Sequence, residues 1–566
     1  MTASTTDAPT VPTDLSLPPP AEYPYDLGKY EWKVQTSSPE AERWFQRALN
    51  WTYGFHHDEA VRCYRYALHH DPNFAMAYWG VAYASGPNYN KPWELFDKAE
   101  LRATLALCHA ASKRAVDLAE DPLEKELCEA IAARFPSSRA EEGGEKEFAR
   151  WNQAFADRMG EVYEGHKDDL DVTTVFADSL MGEPREVSQT LRVKEALDAA
   201  LKRPEAMRHP GILHFYIHLM ELSPTPELAL VPADALRGLV PDSGHLTHMS
   251  GHIYAVVGDY RAMISSNFEA IAADEKYMAH AGADSFYMFY ILHDYTFPIY
   301  AAMFNGQFGV AMKTLDRMEA WLTDDFLRIE SPPMIDWMEG FCTFRVHVLV
   351  RFGKWEDILA LPFPEDQEFY CVTTAFLHYG RALAFALTDR PEEAQREQQE
   401  FRDARARVKT TRQAIPNTWS DIFDVADAML AGEMAYRAKK YDEAFDLLRL
   451  SINRCDNLVY AEPWGFMQPP RHAYAALQLE QGNVEEAARA YAEDLGFLTT
   501  LPRATRHPNN VWALHGYHEC LTKLGRQAEA DMLKPELTLA LAVADVPIES
   551  SCYCRKTACC ASQSKL

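Results

Sequence analysis

The feature that most limits how this chain can fold is a seam that recurs along it. An amphipathic helical stretch runs into a short turn, and a second helix follows with Ala on its inner side. The turns read Phe55-His56-His57-Asp58-Glu59-Ala60, Val257-Gly258-Asp259-Tyr260, Asn305-Gly306-Gln307, Phe352-Gly353-Lys354-Trp355, Lys440-Tyr441-Asp442-Glu443-Ala444, Gln481-Gly482-Asn483 and Leu524-Gly525-Arg526. Gly258 to Gly306 is 48 residues, Gly306 to Gly353 is 47, and Gly482 to Gly525 is 43. Glycine supplies the left-handed backbone that a tight helix–helix turn needs. Alanine lets the paired helices approach closely. Val, Ile and Thr do not gather into alternating runs, so strands are not expected.

The segment 39–73 resembles a tetratricopeptide repeat. Trp44, Ala48, Tyr53, Ala60, Tyr64, Ala67 and the closing Asp71-Pro72 fall near that repeat's signature places. The spacing between seams here is longer than the usual ~34 residues. The resemblance implies an all-α, tetratricopeptide-like helix-turn-helix superhelical solenoid, in which each repeat buries its face against its neighbours. We expect a disordered lead over 1–30, rich in Pro, Thr and Ser. An N-terminal helical region should follow over 31–205, then a histidine-bearing centre over 206–320 and a repeat array over 321–540. A flexible tail should close the chain over 541–566.

The 566 residues carry a formal charge of −27, which repels nucleic acid and anionic lipid. No stretch approaches about 18 uninterrupted apolar residues, so no membrane span is expected. Met1 to Thr13 lack the basic start and apolar core of a secretory signal. Of 11 cysteines, all but Cys552, Cys554, Cys559 and Cys560 are scattered singly, as thiols in a reducing compartment are. Closely spaced tail thiolates can hold Cu(I) or zinc, or they are exposed thiols without a role. The chain closes on Ser564-Lys565-Leu566, a tripeptide read by the peroxisomal import receptor. A peroxisomal location is therefore expected, with that receptor as a partner, and otherwise a cytoplasmic one.

Chemistry is concentrated between His209 and His293. His214 and His218 are i and i+4 on one helical face, with Glu221 one turn further. His245, His248 and His252 are i, i+3 and i+7, a fan of about 60° on a regular helix. His293 stands in the aromatic run Phe286–Tyr295. Buried imidazoles without partners are costly, and these occupy places where a repeat would put Leu or Ala. His378, His472, His515 and His518 read singly as structural.

This stretch resembles a family of large tetratricopeptide-repeat proteins of bacteria and fungi. The matching text is His209-Pro210-Gly211, His214, His218, His245, His248-Met249-Ser250-Gly251-His252-Ile253-Tyr254 and Gly258, with Gly86-Pro87-Asn88-Tyr89-Asn90 after the first repeat. The resemblance implies the fold and carries no reaction with it.

Neutral imidazole suits zinc, copper and iron. His214, His218, His245, His248, His252 and His293 are therefore the expected metal ligands. Copper is the first choice for an all-histidine set, and iron follows if Glu221 also binds. Zinc is a further option. The leading expectation is a metal-dependent oxidoreductase acting with O2 on a small-molecule substrate. His293 and Glu221 would be its acid–base groups, and Tyr216, Tyr254, Tyr287 and Tyr290 would line the substrate pocket. The alternative is a protein-interaction scaffold with structural histidines or a structural zinc. A third reading is a hydrolase with a zinc-bound water and Glu221 as base. Nucleotide-binding glycine loops, a Gly-x-Ser-x-Gly elbow and His-Glu-x-x-His are all missing from the sequence.

Overall fold

A computed structural model describes residues 15–140, 144–182, 187–282 and 286–555. Among these the regular structure is helical throughout, with two isolated bridges, Asn88–Lys91 and Ala414–Asn417. None of the described helices is long and apolar enough to cross a membrane.

The helices come as antiparallel pairs of tetratricopeptide type, and one turn geometry joins them. Phe55, Gly258, Gly306, Gly353, Asp389, Lys439, Gly482 and Gly525 all have positive φ. Each stands two residues before the next helix. The residue after it donates its backbone N–H five residues back. Asp259 donates to Tyr254, Gln307 to Ala302, Lys354 to Leu349, Arg390 to Phe385 and Asn483 to Gln478, all at 2.8–2.9 Å. This is a Schellman closure, which satisfies carbonyls that a helix end would otherwise leave bare.

The same residue opens the second helix. Its carbonyl accepts from the residue four further on, which is Ala60, Ala311, Ala394, Ala444, Ala487 or Ala530 in six of the hairpins and Met263 or Ile358 in the other two. All of these alanines are buried. The inner Ala of the seam therefore closes the first helical bond with its methyl group buried.

The chain forms two compact units. The first holds residues up to Glu221, with 227–253 and 269–291. The second holds 222–226, 254–268 and everything from Leu292.

Two expected flexible ends are ordered over their described parts. Residues 15–38 run without helix, but they are held on the first unit. Trp51 Nε1 donates to the Tyr23 hydroxyl at 2.7 Å, and that hydroxyl donates to Glu59 Oε1 at 2.8 Å. Asp242 N donates to Asp26 O at 3.0 Å, and Leu15, Leu27 and Trp32 are buried. The proline-rich text specifies extended chain, and the aromatic residues between the prolines anchor it. The expected lead over 1–30 is thus corrected from Leu15 onward. Residues 1–14 lie outside the described residues.

The tail is corrected in the same way as far as Arg555. The Asp545 carboxylate accepts from Phe308 N and Gly309 N at 2.6 and 2.8 Å, capping the Phe308–Glu319 helix from a distance in sequence. Cys559, Cys560 and Ser564-Lys565-Leu566 lie outside the described residues.

Candidate metal centre

Pro210–Met220 is a helix buried over its whole length. Proline at its first position supplies the helical φ, and His209 caps it, its Nδ1 accepting from Ile212 N at 3.2 Å. The His209 Nε2 lies 3.3 Å from Asp171 Oδ1. The same carboxylate accepts from the hydroxyls of Tyr53 at 2.5 Å and Tyr30 at 2.6 Å. The Nδ1 of His209 is therefore spent on seating the helix, while its Nε2 has no hydrogen-bond partner among the described residues. Gly211 allows the close approach, since a Cβ there would stand 2.5 Å from Thr174 Cγ2 and 3.0 Å from the Tyr53 ring.

One turn on, His214 places Nδ1 at 2.6 Å from the carbonyl of Tyr53. A carbonyl only accepts, so Nδ1 carries the proton and Nε2 keeps its lone pair. That Nε2 is buried and has no hydrogen-bond partner among the described residues. Burial, with His218 beside it, holds the His214 pKa well below the ordinary histidine value. The ring is the neutral imidazole that a metal requires.

Glu221, buried at the end of the same helix, uses both of its oxygens. Oε1 accepts from His218 Nδ1 at 3.0 Å and Oε2 from His252 Nδ1 at 2.7 Å. One carboxylate thereby fixes the tautomer of two imidazoles and turns both Nε2 atoms away from itself. This is the arrangement that orients metal-bound histidines.

His214, His218 and His245 bring one nitrogen each to within 4.8 Å of one another. All three side chains are at most 3% exposed. Within the expected fan over His245–His252, the His245 and His248 rings lie side by side with centroids 5.6 Å apart. Gly244–His248 and Ser250–Val257 are separate helices. His252 N bonds three residues back, to Met249 O at 3.2 Å. His245 meets His214, His218 and His248 at ring-centroid distances of 5.1, 6.4 and 5.6 Å. His248 and His252 face each other, Nε2 to Nε2, at 2.8 Å.

The remaining expected residues divide. Tyr290 meets His245 edge-on, with ring centroids 4.9 Å apart. Tyr287 stacks on His56 at 3.5 Å, and its hydroxyl is 3.3 Å from Asp274 Oδ1. Tyr216, two residues past His214, is on the other side of its helix. It engages Asp198, and burial together with that carboxylate pushes its hydroxyl up to about 12. Tyr254 and His293 belong to the second unit, where Tyr254 is buried. The His293 ring lies 4.9 Å from Phe297 there. His378 pairs with Glu397 at 2.7 Å and His472 with Asp494 at 2.8 Å, both in the second unit.

Three residues join the site that the histidine spacing did not disclose. Phe55 packs against His214 at 4.4 Å and stacks on His245 at 5.4 Å. Tyr89, from the Gly-Pro-Asn-Tyr-Asn loop, lies 4.5 Å from the His218 ring. His57 lies 5.8 Å from Phe55, with Nδ1 3.1 Å from Ala84 O, and burial pushes its pKa down to about 4. A signal for Phe55 was present, since it fills the turn place that glycine takes in most of the other hairpins.

The chain matches no protein-family profile and no curated protein. Among solved structures it is similar to a chain in the crystal structure of the APC/C hetero-tetramer Cut9-Hcn1. The identity is 13%, over 92% of this chain and 96% of that one, with a TM-score of 0.24. At that score the likeness carries no weight for activity or partners.

Proposed function

We propose that this chain is a tetratricopeptide-like scaffold protein of the protein-interaction type, whose first unit is built around a transition-metal ion. His214, His218 and His245 are its ligands in this reading, and Glu221 is the group that orients His218. The observation that carries it is the convergence of three buried imidazoles, two of which have Nδ1 committed to an acceptor. Because Glu221 spends both oxygens on histidines, it brings no carboxylate to the His214, His218 and His245 set. The donor set therefore favours zinc or copper over iron. The ion would tie the Pro210–Met220 helix to Gly244–His248.

A second reading, a copper oxidoreductase or a zinc hydrolase acting on a small molecule, is favoured by the ligand number. Three protein imidazoles leave a fourth position for water, O2 or substrate.

Elemental analysis by plasma mass spectrometry, on the full-length protein and on His214→Ala and His218→Ala, tests the centre. Near-stoichiometric zinc or copper in the wild type, lost in both variants, is the expected result. A wild-type protein that takes up neither ion after reconstitution sinks both readings. Oxygen uptake or ester hydrolysis by the loaded protein would favour the second reading.

A further inference from the structure

In the second unit, far from the histidines in sequence, the segment Ser550–Arg555 is docked on the repeat array. Ser551 Oγ donates to His472 O at 2.8 Å and is 2.5 Å from the Tyr491 hydroxyl. Arg351 donates to Ser551 O and Arg437 to Cys554 O. Arg555 makes a two-point pair with Glu519 at 2.8 and 3.0 Å. This docking carries Cys552 and Cys554, joined as a disulfide, to Glu433 on the Trp419–Arg437 helix. The two sulfurs and a Glu433 oxygen lie within 4.8 Å of one another.

Glu433 has no exposed surface, and neither of its oxygens has a hydrogen-bond partner among the described residues. Its nearest cation is Arg437, at 3.6 Å. Burial pushes the carboxyl up to about 7. A carboxylate held so deep without hydrogen bonds is costly unless a cation reaches it. A cavity of about 20 Å³ lies against Glu433, Cys552 and Cys554. It is large enough for one ion or one water.

We propose that Cys552, Cys554 and Glu433 form a second metal site, for a zinc-class divalent ion, once the disulfide is reduced. A dithiol reductant supplies two electrons and two protons. The S–S bond breaks to give two thiols, and the reductant leaves as a disulfide. The ion then displaces both thiol protons and binds two thiolates and the carboxylate. Thiolates select a borderline or soft metal over magnesium or calcium. Two thiolates and a carboxylate around a divalent ion leave one negative charge, which Arg437 meets. A monovalent ion would leave two. With three protein ligands, the fourth position falls to a water in the cavity. The site is independent of the histidine centre.

Cobalt(II) titration of the full-length protein tests this, because thiolate-bound cobalt gives a near-ultraviolet charge-transfer band that histidine-bound cobalt lacks. The protein reduced with a dithiol should show the band at one equivalent, and the disulfide form should lack it. Cys554→Ser should abolish the band, and Glu433→Gln should weaken cobalt binding at least tenfold, each with an unchanged thermal melt. The double variant Cys559→Ser, Cys560→Ser should keep the band at full strength. Failure of the reduced wild type to give the band would overturn the proposal. So would its survival in Cys554→Ser or its loss in the 559/560 variant. His214→Ala should leave the band intact, which separates this test from that of the first centre.

Discussion

Phe55 holds φ at 55° in a turn where Gly258, Gly306, Gly353, Gly482 and Gly525 take the same conformation. A bulky residue there pays roughly 1–2 kcal/mol in backbone strain. Its ring, packed on His214 and His245, offsets that strain. Phe55→Gly should relieve the strain yet lose a buried ring worth roughly 3–5 kcal/mol. The expected net loss of about 2 kcal/mol would appear in urea unfolding, and a stabilised variant would show that the ring contributes little. Glu221→Gln keeps the shape but offers one acceptor and one donor, so His218 and His252 cannot both donate to it. Metal affinity should fall ~10–100-fold, with helicity unchanged in circular dichroism. Undiminished affinity would rule out the orienting role. His347, in the second unit, is buried, and that burial pushes its pKa down to about 3. Unfolded, it titrates near ~6.5, so below that pH the unfolded chain binds the extra proton and stability falls. The loss from this group should approach about 1.4 kcal/mol per pH unit between pH 6 and pH 3. His347→Leu should flatten the acid limb by that slope in unfolding measured across the range. Of the site itself, His214 and His218 were legible from their i, i+4 spacing. The helix break at Met249, between His248 and His252, was not, because it leaves no mark in residue type.

At the scale of the helix, the turns were legible wherever glycine held the left-handed place, and less so where Phe55, Asp389 or Lys439 holds it instead. The extended strap from Leu15 was misread because proline-rich text signals both disorder and docked extended chain. What separates the two is the partner surface, here Trp51 and Glu59 on a neighbouring helix pair. Close helix approach is the least legible element-scale feature, because Gly211 sits in a helix with no need for a special φ. A Cβ at Gly211 meets Thr174 and Tyr53, and Tyr53 supplies the carbonyl that fixes the His214 tautomer. Gly244 is tighter still, with a Cβ only 2.0 Å from Asp274 Oδ1. Gly211→Ala should therefore cost roughly 1–3 kcal/mol through overpacking, read as a lower urea midpoint with unchanged slope. It should also weaken metal binding, because the helix that carries His214 and His218 has to shift. A variant of wild-type stability would show that the Pro210–Met220 helix has room to move.

For the whole molecule, the sequence announced repeated hairpins but not their grouping. The boundary between the two units cuts through helices such as Tyr260–Ala281, whose text is continuous. Grouping depends on which buried faces meet, and local periodicity does not encode that. The consequence for stability is specific to one unit. An ion that binds the folded first unit and not the unfolded chain stabilises it by RT ln(1 + [M]/Kd), about 4 kcal/mol at a thousandfold excess over Kd. Chelation of the non-reduced protein leaves the Cys552–Cys554 disulfide intact, so under those conditions it reports on the histidine centre alone. Hydrogen exchange read by mass spectrometry should then show protection lost in residues 210–220, in 244–253 and across the turn at 53–57. Exchange in 419–456 and 511–543 should hold unchanged, since those helices close on a core of their own. Equal loss in both units would mean that metal acts on the chain as a whole. No loss in either would remove the ion from the account of how the first unit is held together.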